Sequence, residues 1–313
     1  SMDDIKKTIT SLNSNKIKYK IENNNFKIES GTYFIKENIV FPVGYNIYID
    51  KGTNFFLDDA ISFLIRGDFH ALGSTNQPII FSSHNEEDFF GVIAILGKTK
   101  KVDVQIENFK IRNGSSANIA GISFLGQLSI HNAFVNAKEV YVENSKSDDG
   151  INIRNSDVKI ISSSFINNSF DQIDLDFCSG TLSNNHFSQK KGAIENGDGV
   201  DISGSKIILE DNSFYNFIDK GISIGENSNV LMINNKLIGN NIGVSVKDGS
   251  VGMFLKTNFF SQNNVDINTF IKKPFYSDPL ALIENIGSLN INIIDGDVLI
   301  EKDALIVERF ELL

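Results

Sequence analysis

From Asp149 onward, apolar and polar residues alternate in short runs, and the runs recur. Alternation over four to six residues predicts half-buried strands. Five segments mark the repeat: SSSF (Ser162–Phe165), NNHF (Asn184–Phe187), DNSF (Asp211–Phe214), NNKL (Asn234–Leu237) and TNFF (Thr257–Phe260). Their last residues lie 22, 27, 23 and 23 positions apart. Alternating runs precede them: VKII, GTLS, KIIL, NVLM and VGMF. A second set of alternating runs accompanies these: DGINI (Asp149–Ile153), DQIDL (Asp171–Leu175), DGVDI (Asp198–Ile202), KGISI (Lys220–Ile224) and IGVSV (Ile242–Val246).

A unit of about 22 residues with two or three short strands cannot bury its own apolar face, so it must stack on its neighbours. The pattern predicts an all-β fold, a single-stranded right-handed parallel β-helix whose coils pair at about 4.8 Å. Like residues then pile on like. Phe165, Phe187, Phe214, Leu237 and Phe260 are expected in one internal stack. Ser163, Asn185, Asn212, Asn235 and Asn258 are expected in a ladder at a bend, where side-chain amides satisfy backbone groups the bend leaves unpaired. A β-sandwich, the rival fold, does not predict identity by column at this period.

The N-terminal half is less regular but compatible, with short strands and corner glycines over Gly31–Ser83. Between Asp3 and about Lys20, Ile5, Ile9, Leu12 and Ile17 fall at roughly helical spacing, which predicts a helix capping the exposed end of the solenoid. The tail Ser288–Glu311 alternates strongly and reads as finishing strands. The expected organisation is a capping segment over 1–30, the β-helix over 31–275 and C-terminal strands or cap over 276–313, with no linker.

Composition sharpens this. Asparagine is 38 of the 313 residues; it is poor inside helices and strands and good at turns and left-handed positions, so turns must be many. The charge of −10 (29 basic, 39 acidic) leaves no footprint for nucleic acid. No run approaches eighteen apolar residues, so no membrane span is expected. One cysteine, Cys178, excludes a disulfide framework, and the alternation points it inward as a small buried residue. Ser1-Met2 reads as a cleavage scar, so a signal peptide or neighbouring domains absent from this sequence are expected.

Gly52-Thr53, then GDFHALGS (Gly67–Ser74), then PIIF (Pro78–Phe81) resembles the entry coils of β-helices in the pectin-lyase-like superfamily. The later run Asn196–Ser205, Asp219–Ser228 and Ile242–Ser250 resembles the β-helix region found beside spore-coat-protein-H-type (CotH) kinase domains of bacterial surface proteins. The resemblance covers roughly 31–275. It implies the fold, and it implies a bacterial cell-surface or secreted location. It does not select a function, since the superfamily includes lyases, glycosidases, epimerases, adhesins and accessory domains.

Polygalacturonase-like enzymes combine three aspartates with Gly-His-Gly and Arg-Ile-Lys elements. His70, His84, His131 and His186 sit in no such context, which argues against that chemistry. Pectate-lyase-like enzymes use calcium on a column of carboxylates with a Lys or Arg base, and this sequence comes nearer that pattern. Coil alignment places Asn152, Asp174, Asp201, Ser223 and Ser245 in one outward column, and Arg154, Asp176, Ser203, Gly225 and Lys247 in the next. Asp149, Asp171, Asp198 and Lys220 line the bend before them. Two carboxylates about 5 Å apart repel by roughly 3 kcal/mol at an effective dielectric of 20. The columns are therefore a solvated flank or a site for Ca²⁺, which takes six to eight oxygens. Asp171, Asp174, Asp176, Asp198 and Asp201 could supply several of these from two adjacent coils, with Asp174, Asp176, Asp198 and Asp201 the expected metal ligands. Asp149, Asp171, Asp219 and Glu226 complete the acidic flank. In the solvated reading, Arg154 and Lys220 pair with Asp176 and Asp198. The long step from Phe187 to Phe214 places extra residues in Ser188–Gly197, directly before Asp198, and Lys190 and Lys191 on that loop could overhang the carboxylates.

Three functions remain open from the sequence. The leading one is a non-catalytic surface or accessory domain presenting the acidic flank to a polysaccharide or surface protein, with Ca²⁺. The second is a polysaccharide lyase or epimerase with Ca²⁺ and Lys190, Lys191, Lys220 or Arg154 as candidate base. The third is a structural β-helix within a larger biosynthetic enzyme. Few outward aromatics are expected to stack sugar rings, which favours the first over the second.

Overall fold

The computed structural model describes residues 2–192, 196–285 and 287–313. The chain is a mostly-strand β-solenoid of about 12 turns with about 23 residues per turn, opened by a short helix. It forms two compact units, residues 1–157 and 158–313.

In the first unit the helix Met2–Ser14 buries Thr8 and Leu12, and the Thr8 hydroxyl donates to the Val40 carbonyl at 2.7 Å. The helix is shorter than the spacing to Ile17 suggested. Lys16 takes a left-handed φ of 55°, and the Ile17 N–H closes back on the Leu12 carbonyl at 2.9 Å, which ends the helix. Tyr19–Glu22 and Asn25–Ile28 then form an antiparallel hairpin, absent from the sequence reading. Parallel pairing starts at Asn25–Ile28 against Asn46–Ile49. A second hairpin, Ala117–Ile119 with Ile122–Phe124, closes an apolar cluster with Leu64, Val92 and Ala94.

The second unit has three faces. One stacks Asp171–Asp176, Val200–Ser203, Lys220–Gly225, Ile242–Lys247 and Val265–Phe270 in parallel. The next stacks Ser179–Ser183, Lys206–Glu210, Asn229–Ile233 and Val251–Phe254. The third stacks Ser164–Ile166, His186–Ser188, Ser213–Tyr215, Lys236–Ile238 and Phe259–Ser261. The internal stack forms as expected. Phe165 lies on Phe187 at 4.9 Å and Phe187 on Phe214 at 4.7 Å between ring centroids, with Leu237 and Phe260 continuing the register.

Each bend carries its own ladder. Asn185, Asn212, Asn235 and Asn258 each accept the backbone N–H of the residue one coil earlier, at 2.9–3.0 Å. Asn240 and Asn263 do the same at a second bend. At the third, Ser205, Ser228 and Ser250 hydroxyls accept the N–H groups of Cys178, Ser205 and Ser228. Buried Cys178 thus heads a serine column. The abundance of asparagine has a second cause in the backbone. Asn184, Asp211 and Asn234 before the first ladder, and Asn167 and Asn216 before the second, hold φ between 54° and 62°. Asn and Asp tolerate this conformation because their side chains bond locally.

The C-terminus departs from the strand reading. Leu280–Ile283 and Asp297–Ile300 do continue the stack, but Asp303–Leu312 is a helix. Its Ile306 and Phe310 pack on Leu231, Met253 and Leu282. These apolar side chains would otherwise face water, and ALIVERF meets them with one turn-spaced apolar pair.

Candidate metal centre

The first face of the second unit carries the acidic flank. The bend leading into this face adds carboxylates to the amide and hydroxyl ladders. Asp171 Oδ1 accepts the Asp198 N–H at 2.7 Å, and Asp198 Oδ1 accepts the Lys220 N–H at 3.1 Å. The two aspartates are therefore rungs of a backbone ladder, and each leaves Oδ2 for other work. Gly197 brings these coils close: a Cβ there would meet the Phe170 carbonyl oxygen at 1.8 Å.

Asp201 joins them from the next outward column, opposite Asp174 in register. Asp171, Asp198 and Asp201 each place a carboxylate oxygen within 4.8 Å of the others. This is the one such group of three among the described residues. Asp171, already among the oxygen donors expected from the sequence, joins Asp198 and Asp201 in this group, and Asp174 and Asp176 are not part of it. The sequence had placed Asp171 and Asp198 in one bend column and Asp201 in the outward column beside it. Asp201 Oδ1 is buried without a hydrogen-bond partner, as is the Ser223 hydroxyl one coil on. Buried oxygens without partners are costly.

The electrostatics follow from crowding. Burial pushes the Asp171 carboxyl well above the ordinary range, and Asp198 and Asp201 push it further. Burial raises Asp198 to about 7; Lys220 opposes, while Asp201 and Asp219 reinforce. At neutral pH the cluster holds protons unless a cation replaces them.

Lys220 donates to Asp198 at 3.2 Å and also pairs with Asp219. Burial disfavours its ammonium, but Asp198 and Asp219 outweigh burial and hold its pKa above the usual lysine value. The Lys220–Asp198 pairing anticipated in the solvated reading is present. Glu226 pairs with Lys273, away from the triad's hydrogen bonds. Lys190 is exposed, and Lys191 lines a cleft with Asn216, Phe217 and Gly239 on another face. The loop ahead of Gly197 includes residues 193–195, which lie outside the described residues. In the first unit, Asp149 accepts from Asn152 at 3.1 Å, and Arg154 is exposed at a strand end.

Two features escaped the sequence reading. Lys247 is buried, 6% exposed. Its stem lies over Gly225, where a Cβ would sit 3.4 Å from Lys247 Cε. Its charge acts on Asp198, and its ammonium makes no ion pair among the described residues. The signal was a glycine one coil below a lysine in the same column. The second feature is aromatic: Phe170 and Phe177, 43% and 67% exposed, bracket Asp171–Asp176, against the expectation of few outward rings. Phe177 holds a left-handed φ of 54°, and its ring covers Gly204.

A parallel β-solenoid carrying an acidic bend defines a class of architecture, and sequence comparison names it. The profile of the family described as right handed beta helix region matches residues 93–276, and this chain belongs to that family. No curated protein sequence matches it. Solved structures of similar fold include an alginate lyase from Paenibacillus sp. str. FPU-7, at 12% identity and TM-score 0.38, covering 80% of this chain and 92% of that one. The enzymatically active domain of Bacteriophage CBA120 tailspike protein 2 aligns at 12% identity and TM-score 0.48, over 88% of this chain and 42% of that one. A periplasmic alginate epimerase aligns at 12% identity and TM-score 0.39, over 90% and 80%. At these identities the likeness is one of fold. The association with spore-coat-type kinase domains finds no support in these matches.

Proposed function

We propose that this β-helix is a non-catalytic glycan-binding module whose acidic flank holds a divalent cation, Ca²⁺ by its oxygen donors, between Asp171, Asp198 and Asp201. The observation that carries the reading is the convergence of three carboxylates within 4.8 Å beside two buried, unpartnered oxygens, Asp201 Oδ1 and Ser223 Oγ. A hard cation would satisfy such oxygens and relieve the repulsion that otherwise forces protons onto the cluster. The cation's open positions would then accept a carboxylate of an acidic polysaccharide, with Phe170 and Phe177 offering ring faces to the sugar. Lys220 supports binding over catalysis, because its ammonium is committed to Asp198 and Asp219 and is a poor proton acceptor.

The test is binding of a galacturonate tetramer, measured with Ca²⁺ and with EDTA. The expected result is a Ca²⁺-dependent component of binding that EDTA abolishes and that Asp201→Asn weakens at least tenfold. Phe177→Gly is expected to weaken it severalfold while stabilising the fold by about 1 kcal/mol, since a non-glycine left-handed residue costs about that much. Binding unaffected by EDTA and by Asp201→Asn would remove the proposal. One observation favours a second reading: buried Lys247 has an uncommitted amine beside the cluster, the base a lyase or epimerase needs. In that case the same incubation develops the ultraviolet absorbance of an unsaturated uronate and Lys247→Gln abolishes it. Tight binding without product keeps the non-catalytic reading.

A further inference from the structure

The first unit contains a cleft of about 570 Å³ where the end of the N-terminal helix meets the first coils. The volume lies within the range of small-ligand sites. Lys16, Lys18 and Lys36 all line it, and no acidic residue does. This is an unusual convergence in a chain of net charge −10. Four lysines of this unit pair with acids: Lys20 with Glu29, Lys27 with Glu22, Lys101 with Asp157 and Lys138 with Glu107. Lys16, Lys18 and Lys36 make no ion pair among the described residues.

The wall of the cleft is aromatic. Phe34 is 47% exposed and is fixed from two sides, by the Phe56 ring at 5.6 Å and the His84 ring at 4.9 Å. His84 is in turn held by Asp58 at 3.0 Å. A large apolar ring kept rigid and half open is a platform, not a core residue. Ser30 and Thr32 also line the cleft, and their hydroxyls make no hydrogen bond among the described residues. Asn15 is structural: its side chain donates to the Ser11 carbonyl at 2.8 Å and accepts the Lys36 N–H at 2.8 Å. It thereby ties the lysine-bearing strand end to the helix and preorganises the rim.

We infer that this cleft binds an acidic oligosaccharide, with a sugar ring on Phe34, its hydroxyls at Ser30 and Thr32, and its carboxylate or sulfate groups at Lys16, Lys18 and Lys36. The ligand class follows from three properties together. The platform is one-sided, which suits the apolar face of a pyranose. The rim offers hydroxyls as well as cations. The three amines, from Lys16 and Lys18 after the helix and Lys36 directly after the strand Thr32–Ile35, offer more than one cationic contact to a chain bearing repeated anionic groups. Binding here needs no metal, so it stands apart from the cation site and does not rest on it.

The experiment is calorimetry in EDTA, which silences the cation site. The probes are a galacturonate tetramer, a heparin-derived tetrasaccharide and, as the neutral control, cellotetraose. The expected result is binding of at least one acidic probe, no binding of cellotetraose, a loss of at least tenfold in the Lys16→Gln/Lys18→Gln/Lys36→Gln variant and about fivefold in Phe34→Ala, and no change in Asp201→Asn. The three lysines and Phe34 are exposed, and circular dichroism of each variant, Asp201→Asn included, verifies folding. Absence of binding by both acidic probes, equal binding of cellotetraose, or full binding by the triple variant would overturn the inference.

Discussion

Asn212→Ala is expected to destabilise the second unit by about 4 kcal/mol. Asn212 is fully buried. Its Oδ1 accepts both the backbone N–H and the side-chain amide of Asn185 at 3.0 Å. Its Nδ2 donates to the Leu182 carbonyl at 2.8 Å. Alanine leaves the Asn185 N–H and the Leu182 carbonyl buried and unpaired, at roughly 1–3 kcal/mol each, and water has no way in between stacked coils. Denaturant unfolding followed by circular dichroism measures the loss, with exposed Asn292→Ala, outside the ladders and free of a left-handed φ, as the reference. A loss below about 1 kcal/mol would mean that stacking of Phe165, Phe187 and Phe214 holds the coils without the ladder.

The second large effect is on the pH dependence of stability. Asp198 has a folded pKa of about 7, against 3.8 for the free carboxyl, chiefly because it is buried. Between those values the folded state holds a proton that the unfolded chain has released. Stability from this group therefore falls as pH rises through the window, by up to about 1.4 kcal/mol per pH unit. Above pH 7 the destabilisation is complete. Asp171, raised for the same reason, acts in the same direction. Carboxylates lowered by partners, such as Glu284 beside Lys256, act in the opposite direction, so the informative quantity is the difference between wild type and Asp198→Asn. Without added metal, that difference should grow from pH 5 to pH 8, with the variant gaining. A difference flat across this range would show that Asp198 titrates normally.

The fold was legible because a solenoid writes each internal position once per coil. Phe165, Phe187 and Phe214 repeat in identity as well as polarity, and Asn185, Asn212 and Asn235 do so beside them. The 27-residue step between Asn185 and Asn212 did not hide the ladder, because an insertion in a loop leaves the register of the flanking strands intact. What stayed hidden has a common cause: it happens once. The hairpin Tyr19–Glu22 with Asn25–Ile28 and the helix Asp303–Leu312 have no second copy to align. In the helix, Leu305, Ile306 and Val307 read as readily as a strand until Ile306 and Phe310 meet Leu231 and Met253. At the candidate site, column alignment found Asp171, Asp198 and Asp201 but did not separate them from Asp174 and Asp176. Alternation orders positions within a strand and gives no distance between a bend column and the outward column beside it. Lys247 was placed in its column, yet its reach across Gly225 depends on a side-chain path that no alternation encodes.

The measurement closest to the central claim is calorimetric titration of Ca²⁺ into the metal-free protein near pH 6, run in two buffers of different ionisation enthalpy. One site is expected, with proton release on binding because the cation displaces the proton held by Asp198 and its neighbours, and with loss of both in Asp201→Asn. No binding by the wild type, or binding of equal strength by Asp201→Asn, would contradict it and would make Asp171, Asp198 and Asp201 a protonated structural bend.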